Sequence, residues 1–173
     1  QVEMLLSQHA GLLRSHIERR NPALIILAYG TNEARRRDLT EEAYRADLKR
    51  VVGLVRESAP TASILIVGAP DQGIRTRRRI VVPDGVDHII AAQREAALAA
   101  GCGFWNLRTA MGGAGSMKQW VQSGLAQRDY VHFTTPGYRL LGDSLYELLM
   151  AQYGIFQTVR RQVLGSNENG PPK

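Results

Sequence analysis

Two apolar runs constrain this chain more than any other feature. Ala23-Leu-Ile-Ile-Leu-Ala-Tyr29 and Ser63-Ile-Leu-Ile-Val-Gly68 carry no charge and no polar alternation. Runs of that length, each meeting a Gly, read as strands buried on both faces. Between them lies a helix signature. Thr40 stands as N-cap, Glu41 and Glu42 fill the first turn, Tyr44, Leu48, Val51, Val52 and Val55 form one face, and Pro60 ends it. Strand, helix and strand in that order require a parallel sheet covered by helices. The expected fold class is α/β, a three-layer α/β/α sandwich with parallel strands at 23–29, 63–68 and 103–107.

The remaining elements follow from local signals. Val2 to Arg20 has helical spacing, Arg19-Arg20 suit its last turn, and Asn21-Pro22 stops it. His9 and His16 fall on or near its apolar side and read as packing residues. A third helix runs from Pro83 to Ala100, with Gly101 past its end. Gly112-Gly-Ala-Gly-Ser116 is a flexible loop without the Lys-Ser/Thr ending of a phosphate cradle, and Ser116 is expected to cap a short helix. A last helix ends near Tyr153. Residues 1–154 make one domain, and 155–173 read as a basic, then Gly/Pro/Asn-rich tail, disordered beyond Leu164.

Chemistry gathers at two strand or loop ends. The first apolar run closes in Gly30-Thr31-Asn32-Glu33, and polar residues at the C-terminal end of a parallel strand sit where open α/β sheets bind ligands. Asn32 there can donate to a developing oxyanion. Much later comes Asp129-Tyr-Val-His132. In a tight turn that spacing lets the carboxylate accept the Nδ1 proton of His132, which leaves Nε2 to take a proton from a nucleophile. Thr135 is expected as N-cap of the following helix, with Pro136 in its first turn.

A strand ending in Gly-Thr-Asn-Glu, followed about a hundred residues later by Asp-x-x-His and a final helix, resembles the SGNH (GDSL) hydrolases, from about Pro22 to Tyr153. The Gly-Thr-Asn-Glu form, with Gly68-Ala-Pro-Asp71 and Trp105, is similar to the carbohydrate-esterase branch, particularly bacterial peptidoglycan O-acetylesterases. The resemblance implies part of a flavodoxin-like SGNH fold and a serine esterase that removes O-acetyl groups from peptidoglycan or another carbohydrate. It implies His132 and Asp129 as catalytic residues and Asn32 in the oxyanion hole. It also implies no metal or cofactor, and a periplasmic or secreted location for the intact parent. Gly30, Thr31, Glu33, Arg77 and Arg78 are candidate substrate contacts, with a structural acceptor role as the other reading for Glu33.

The chain departs from the family at the nucleophile. The family's Gly-Asp-Ser motif follows its first strand, whereas the string Gly142-Asp-Ser-Leu145 lies here inside the last helix, where a serine is in the wrong context. Ser144 is therefore not read as a nucleophile. The chain is expected to be a fragment without the Ser strand, inactive alone. A non-catalytic binding or scaffold domain and a polysaccharide O-acetyltransferase relative stand as alternatives.

Composition limits partners. Apolar residues make up 44% of the sequence, and no run approaches a membrane span. Cys102 is the single cysteine, which excludes an internal disulfide and a Cys-based zinc site. The net charge is +6. Arginine clusters at 35–37 and 75–79 without interleaved aromatics, against a nucleic-acid partner. Both clusters follow strands at the edge expected to hold Asn32 and His132, which suggests a basic rim. The other reading pairs them with Asp38, Asp71, Asp84 and Asp87.

Overall fold

The computed structural model describes residues 1–6 and 10–168, with side chains through Leu164. A 3-10 turn at Val2–Leu5 precedes α1 (Ala10–Arg20), β1 (Leu24–Ala28), α2 (Glu41–Ser58) and β2 (Ser63–Val67). A hairpin of β3 (Ile74–Arg75) and β4 (Ile80–Val81) follows, then α3 (Gly85–Ala99), β5 (Gly103–Trp105), α4 (Leu107–Ala110), α5 (Ser116–Gln122) and α6 (Thr135–Glu168). The main sheet is parallel, in the order β1-β2-β5, with Ile26 beside Leu65 and Ala28 beside Val67.

Alternation along β2 builds the layers. Ile64 and Ile66 point into one core with Tyr44, Leu48, Val51 and Val55 of α2 and Val86, Ile89 and Ala96 of α3. Leu65 and Val67 point into a second, with Met117 and Trp120 of α5, Phe133, and Leu141 of α6. The molecule is a three-layer α/β/α sandwich. Thr40 caps α2, its hydroxyl oxygen accepting from Ala43 N at 3.1 Å.

The layers are unequal over β1. Its residues facing the second core are bare: Leu24 is 40% exposed and Ile26 45%, while their neighbour Leu65 is 8%. Among the described residues β1 has one partner strand, so its other edge is free.

Several expectations shift in detail. The first helix is a 3-10 turn and a separate α1, and His16 is exposed on it rather than packed; His9 lies outside the described residues. The third strand ends at Trp105, because Asn106 accepts from Thr109 N and starts α4. Gly115, at φ 81°, holds the N-cap position expected of Ser116. The last helix does not stop at Tyr153 but continues to Glu168. Residues 154–168 thus extend the domain's own helix, and the disorder expected past Leu164 concerns, for 169–173, positions outside the described residues. No helix among the described residues is long and apolar enough to cross a membrane.

Candidate active site

The loop after β1 is shaped by one glycine and one carboxylate. Gly30 has φ 110°, and a Cβ there would come within 2.8 Å of Ile89 Cγ2 and 3.0 Å of Gln93 Nε2. Its carbonyl accepts from Ala34 N at 2.9 Å. Glu33 turns inward and is 3% exposed. Its Oε1 accepts from Val2 N at 2.8 Å and its Oε2 from Gly30 N at 3.2 Å. Burial, then the charge of Glu33, pushes the Tyr44 hydroxyl well above its ordinary pKa. Both oxygens of Glu33 are thus engaged by backbone N–H groups, and Gly30 is buried beside it. The Thr31 carbonyl accepts from Gln72 Nε2 at 3.0 Å. Asn32 is left exposed at the turn, its amide without a hydrogen-bond partner among the described residues.

The second loop closes on itself. Gln127 N donates to His132 O at 2.8 Å and Thr134 N to Leu125 O at 3.0 Å. The Thr134 hydroxyl donates to Gly124 O at 2.7 Å and accepts from Gly137 N at 3.4 Å, so Thr134, not Thr135, caps α6. A Cβ on Gly137 would overlap the Leu125 carbonyl, which is why the helix can start this close to the loop. Phe133 anchors the segment edge-on against Trp120 and Tyr138, both at 5.4 Å between ring centres.

Inside that frame Asp129 divides its two oxygens. Oδ1 accepts from Val131 N at 2.9 Å and His132 N at 3.1 Å; Oδ2 lies 2.6 Å from His132 Nδ1. Partial desolvation raises the Asp129 pKa, but the bonds from the His132 ring and the two backbone N–H groups outweigh it and hold the carboxyl at about 2. At neutral pH the carboxylate is ionised and keeps the proton of His132 on Nδ1. Nε2 is then the free, basic ring nitrogen.

The loops meet. Thr31, Asn32, Arg35, Pro70, Asp129, His132 and Tyr138 share a cleft of about 420 Å³. It lies beyond the C-terminal ends of β1 and β2. Among the described residues no serine lines it. Ser144 lies within α6, its hydroxyl donating to Leu140 O at 2.9 Å. Cys102 is buried elsewhere, and burial pushes its thiol up against the opposing influence of Arg56.

The arginines separate into two groups. Arg36 pairs with Glu3 at 2.5 Å and Asp38 at 2.8 Å. Asp71 and Asp87 are taken by the buried Arg108. Arg77 and Arg78, at the exposed hairpin tip, form no ion pair among the described residues and lie outside the cleft lining. Of the arginines expected on the rim, Arg35 lines the cleft, and Tyr138 lines it without having been anticipated there. Tyr138 begins an ordinary amphipathic face, which gives no signal in the sequence. Only the turn after β1 and the start of α6 bring them to one place.

An Asp–His pair and an unbonded Asn32 amide thus stand together at the C-terminal edge of a parallel sheet in an α/β/α sandwich. The chain belongs to the GDSL-like lipase/acylhydrolase family, whose model matches residues 3–140. A peptidoglycan O-acetylesterase structure is 30% identical, with a TM-score of 0.77; the match covers 84% of this chain and 44% of that one. This chain thus spans less than half the length of that esterase. A lipase/acylhydrolase from Enterococcus faecalis (19% identity, TM-score 0.60, 82% of this chain and 69% of that one) shares the fold. So does an acetyl xylan esterase (14% identity, TM-score 0.65, 86% and 75%). No curated protein sequence matches.

Proposed function

We propose that this chain carries the acid–base half of an esterase that removes O-acetyl groups from peptidoglycan or a related carbohydrate, outside the cytoplasm, and that it is inactive until a nucleophile is supplied. The observation that carries the reading is the 2.6 Å contact of Asp129 Oδ2 with His132 Nδ1 in a cleft that also holds Asn32. The serine is proposed to arrive on a strand added to the free edge of β1. Bare Leu24 and Ile26 on that side support this, since an added strand and its helix would cover them.

In the completed site the serine hydroxyl attacks the acetyl carbonyl while His132 Nε2 takes its proton. The Asn32 amide donates to the oxyanion, and Asp129 stabilises the imidazolium. His132 returns the proton to the departing sugar oxygen. Water, deprotonated by the same nitrogen, then attacks the acetyl-serine carbonyl, and as the bond to the serine oxygen breaks His132 returns the proton to that oxygen, releasing acetate. The likeness to the peptidoglycan O-acetylesterase supports the substrate class.

The test measures acetate release from O-acetylated peptidoglycan, by this chain alone and by a protein that also carries the Ser strand. Activity is expected only from the second, and Ser144→Ala should change neither. Turnover by the chain alone that disappears in Ser144→Ala would overturn the reading. Transfer of acetyl to an added sugar in preference to water would favour an acetyltransferase, and a Ser-bearing protein that binds but never turns over, a scaffold domain.

A further inference from the structure

The hairpin of β3 and β4 concentrates charge that the proposed chemistry does not use. Four of its eight residues, Arg75, Arg77, Arg78 and Arg79, are arginines, and all four are exposed. None forms an ion pair among the described residues, because the carboxylates of Asp71 and Asp87 belong to Arg108. The tip is pre-shaped. The Thr76 hydroxyl donates to Arg79 O at 2.6 Å and accepts from Arg79 N at 3.0 Å, and Thr76 N donates to Arg79 O at 2.8 Å.

The hairpin is also tied to the loop of Asp129 and His132. Gly73 N, at its base, donates to Tyr130 O at 2.8 Å. Arg75 lies over the Tyr130 ring, 5.6 Å from its centre. A Cβ on Gly73 would meet Ile80 Cγ2 at 2.5 Å and Tyr130 Cβ at 3.0 Å, so the glycine permits this contact. Arg35 closes the connection: it lines the cleft and donates to Gly73 O at 3.0 Å.

We propose that this hairpin is a docking arm for a carboxylate-bearing glycan chain, held beside the cleft while one ester-bearing unit enters it; the proposal rests on the ester-hydrolase reading. Guanidinium forks match carboxylates in bidentate geometry, and a fixed hairpin loses little freedom on binding. A single-stranded nucleic acid would call for open aromatic faces, but the hairpin carries none and Arg75 lies over the nearby Tyr130 ring. A membrane surface would call for exposed apolar anchors at the tip, where there is only Thr76 and arginine.

The experiment is a fluorescence titration of the 173-residue chain with polygalacturonate, dextran, duplex DNA and phosphatidylserine vesicles, from about 0.02 to 0.5 M salt, over which screening shortens severalfold. Polygalacturonate should bind, more weakly as salt rises, and dextran should not. Arg77→Ser/Arg78→Ser should weaken binding about threefold to tenfold at low salt, with an unchanged melting temperature. Arg19→Ser/Arg20→Ser, which removes the same charge from the end of α1, should not. Equal losses in the two double variants, equal binding to dextran, or tighter binding to DNA or vesicles would each overturn the proposal. Binding requires no turnover, so its failure would leave the hydrolase reading standing. Absence of acetate release from the Ser-bearing protein would leave the arm.

Discussion

Two carboxylates stand in short loops at the same edge of the sheet, and they are used in opposite ways. Glu33 is 3% exposed and gives both oxygens to backbone N–H groups that have no water to turn to. Asp129 is 44% exposed and gives one oxygen to its own turn and the other to an imidazole. Glu33 fixes where the chain goes; Asp129 fixes where a proton goes. A carboxylate beside a cleft is chemical only if an oxygen remains after the backbone has been satisfied.

The largest effects should come from the Asp129 side. In the Ser-bearing protein, Asp129→Asn should lower kcat by about 10⁴-fold, because the ring then loses its preferred tautomer. The melting temperature should barely move; a drop of many degrees would mean that Asp129, like Glu33, is mainly structural. Next, Asn32→Ala should reduce kcat about 10²–10³-fold with little change in KM. A KM effect alone would make Asn32 a substrate clamp.

Glu33 should break the other way. Glu33→Ala leaves the Val2 and Gly30 N–H groups buried and unpaired, which should cost about 1–3 kcal/mol in denaturant unfolding. Activity per folded molecule should stay within about twofold, small beside the 10²–10³-fold expected of an oxyanion donor. A loss of kcat at constant stability would return Glu33 to the site.

The smallest effect is on pH. The folded-state pKa of Asp129 is about 2, below the unfolded value of about 3.9. A lowered value means that its contribution to stability is complete above about pH 4 and is lost as the pH falls toward 2. Melting curves of the parent and Asp129→Asn should therefore differ by a small constant amount above pH 4 and converge below it. Convergence already at pH 5–6 would break the assigned pairing.

Much of this contrast was legible in the chain. The apolar runs fixed the parallel sheet, because a strand without polar alternation has no side to give to water. The spacing from Asp129 to His132 suggested the pair, because a tight turn brings i and i+3 together. The sequence left Glu33 open between a structural acceptor and a substrate contact, and it offered Gly30 only as a contact. Both stand in a motif that reads as functional, and only the approach of Ile89 and Gln93 to one and of Val2 to the other makes them structural. The inward Arg108, which removes Asp71 and Asp87 from the surface arginines, is equally silent in sequence, since its partners lie 37 and 21 residues away. The run of α6 beyond Tyr153 was misread because Gly154 and the basic residues after it look like a stop, while Ile155, Phe156 and Val159 keep a helical period.

The open side of β1 has a practical consequence. A parallel edge with Leu24 and Ile26 beside it offers unpaired backbone groups and apolar side chains to any extended segment that passes. The same surface that would welcome the proposed serine strand welcomes a wrong one. During synthesis or storage, the chain should self-associate as its concentration rises, and a peptide able to pair with β1 should keep it in solution. Solubility thereby becomes a direct assay of what belongs on that edge.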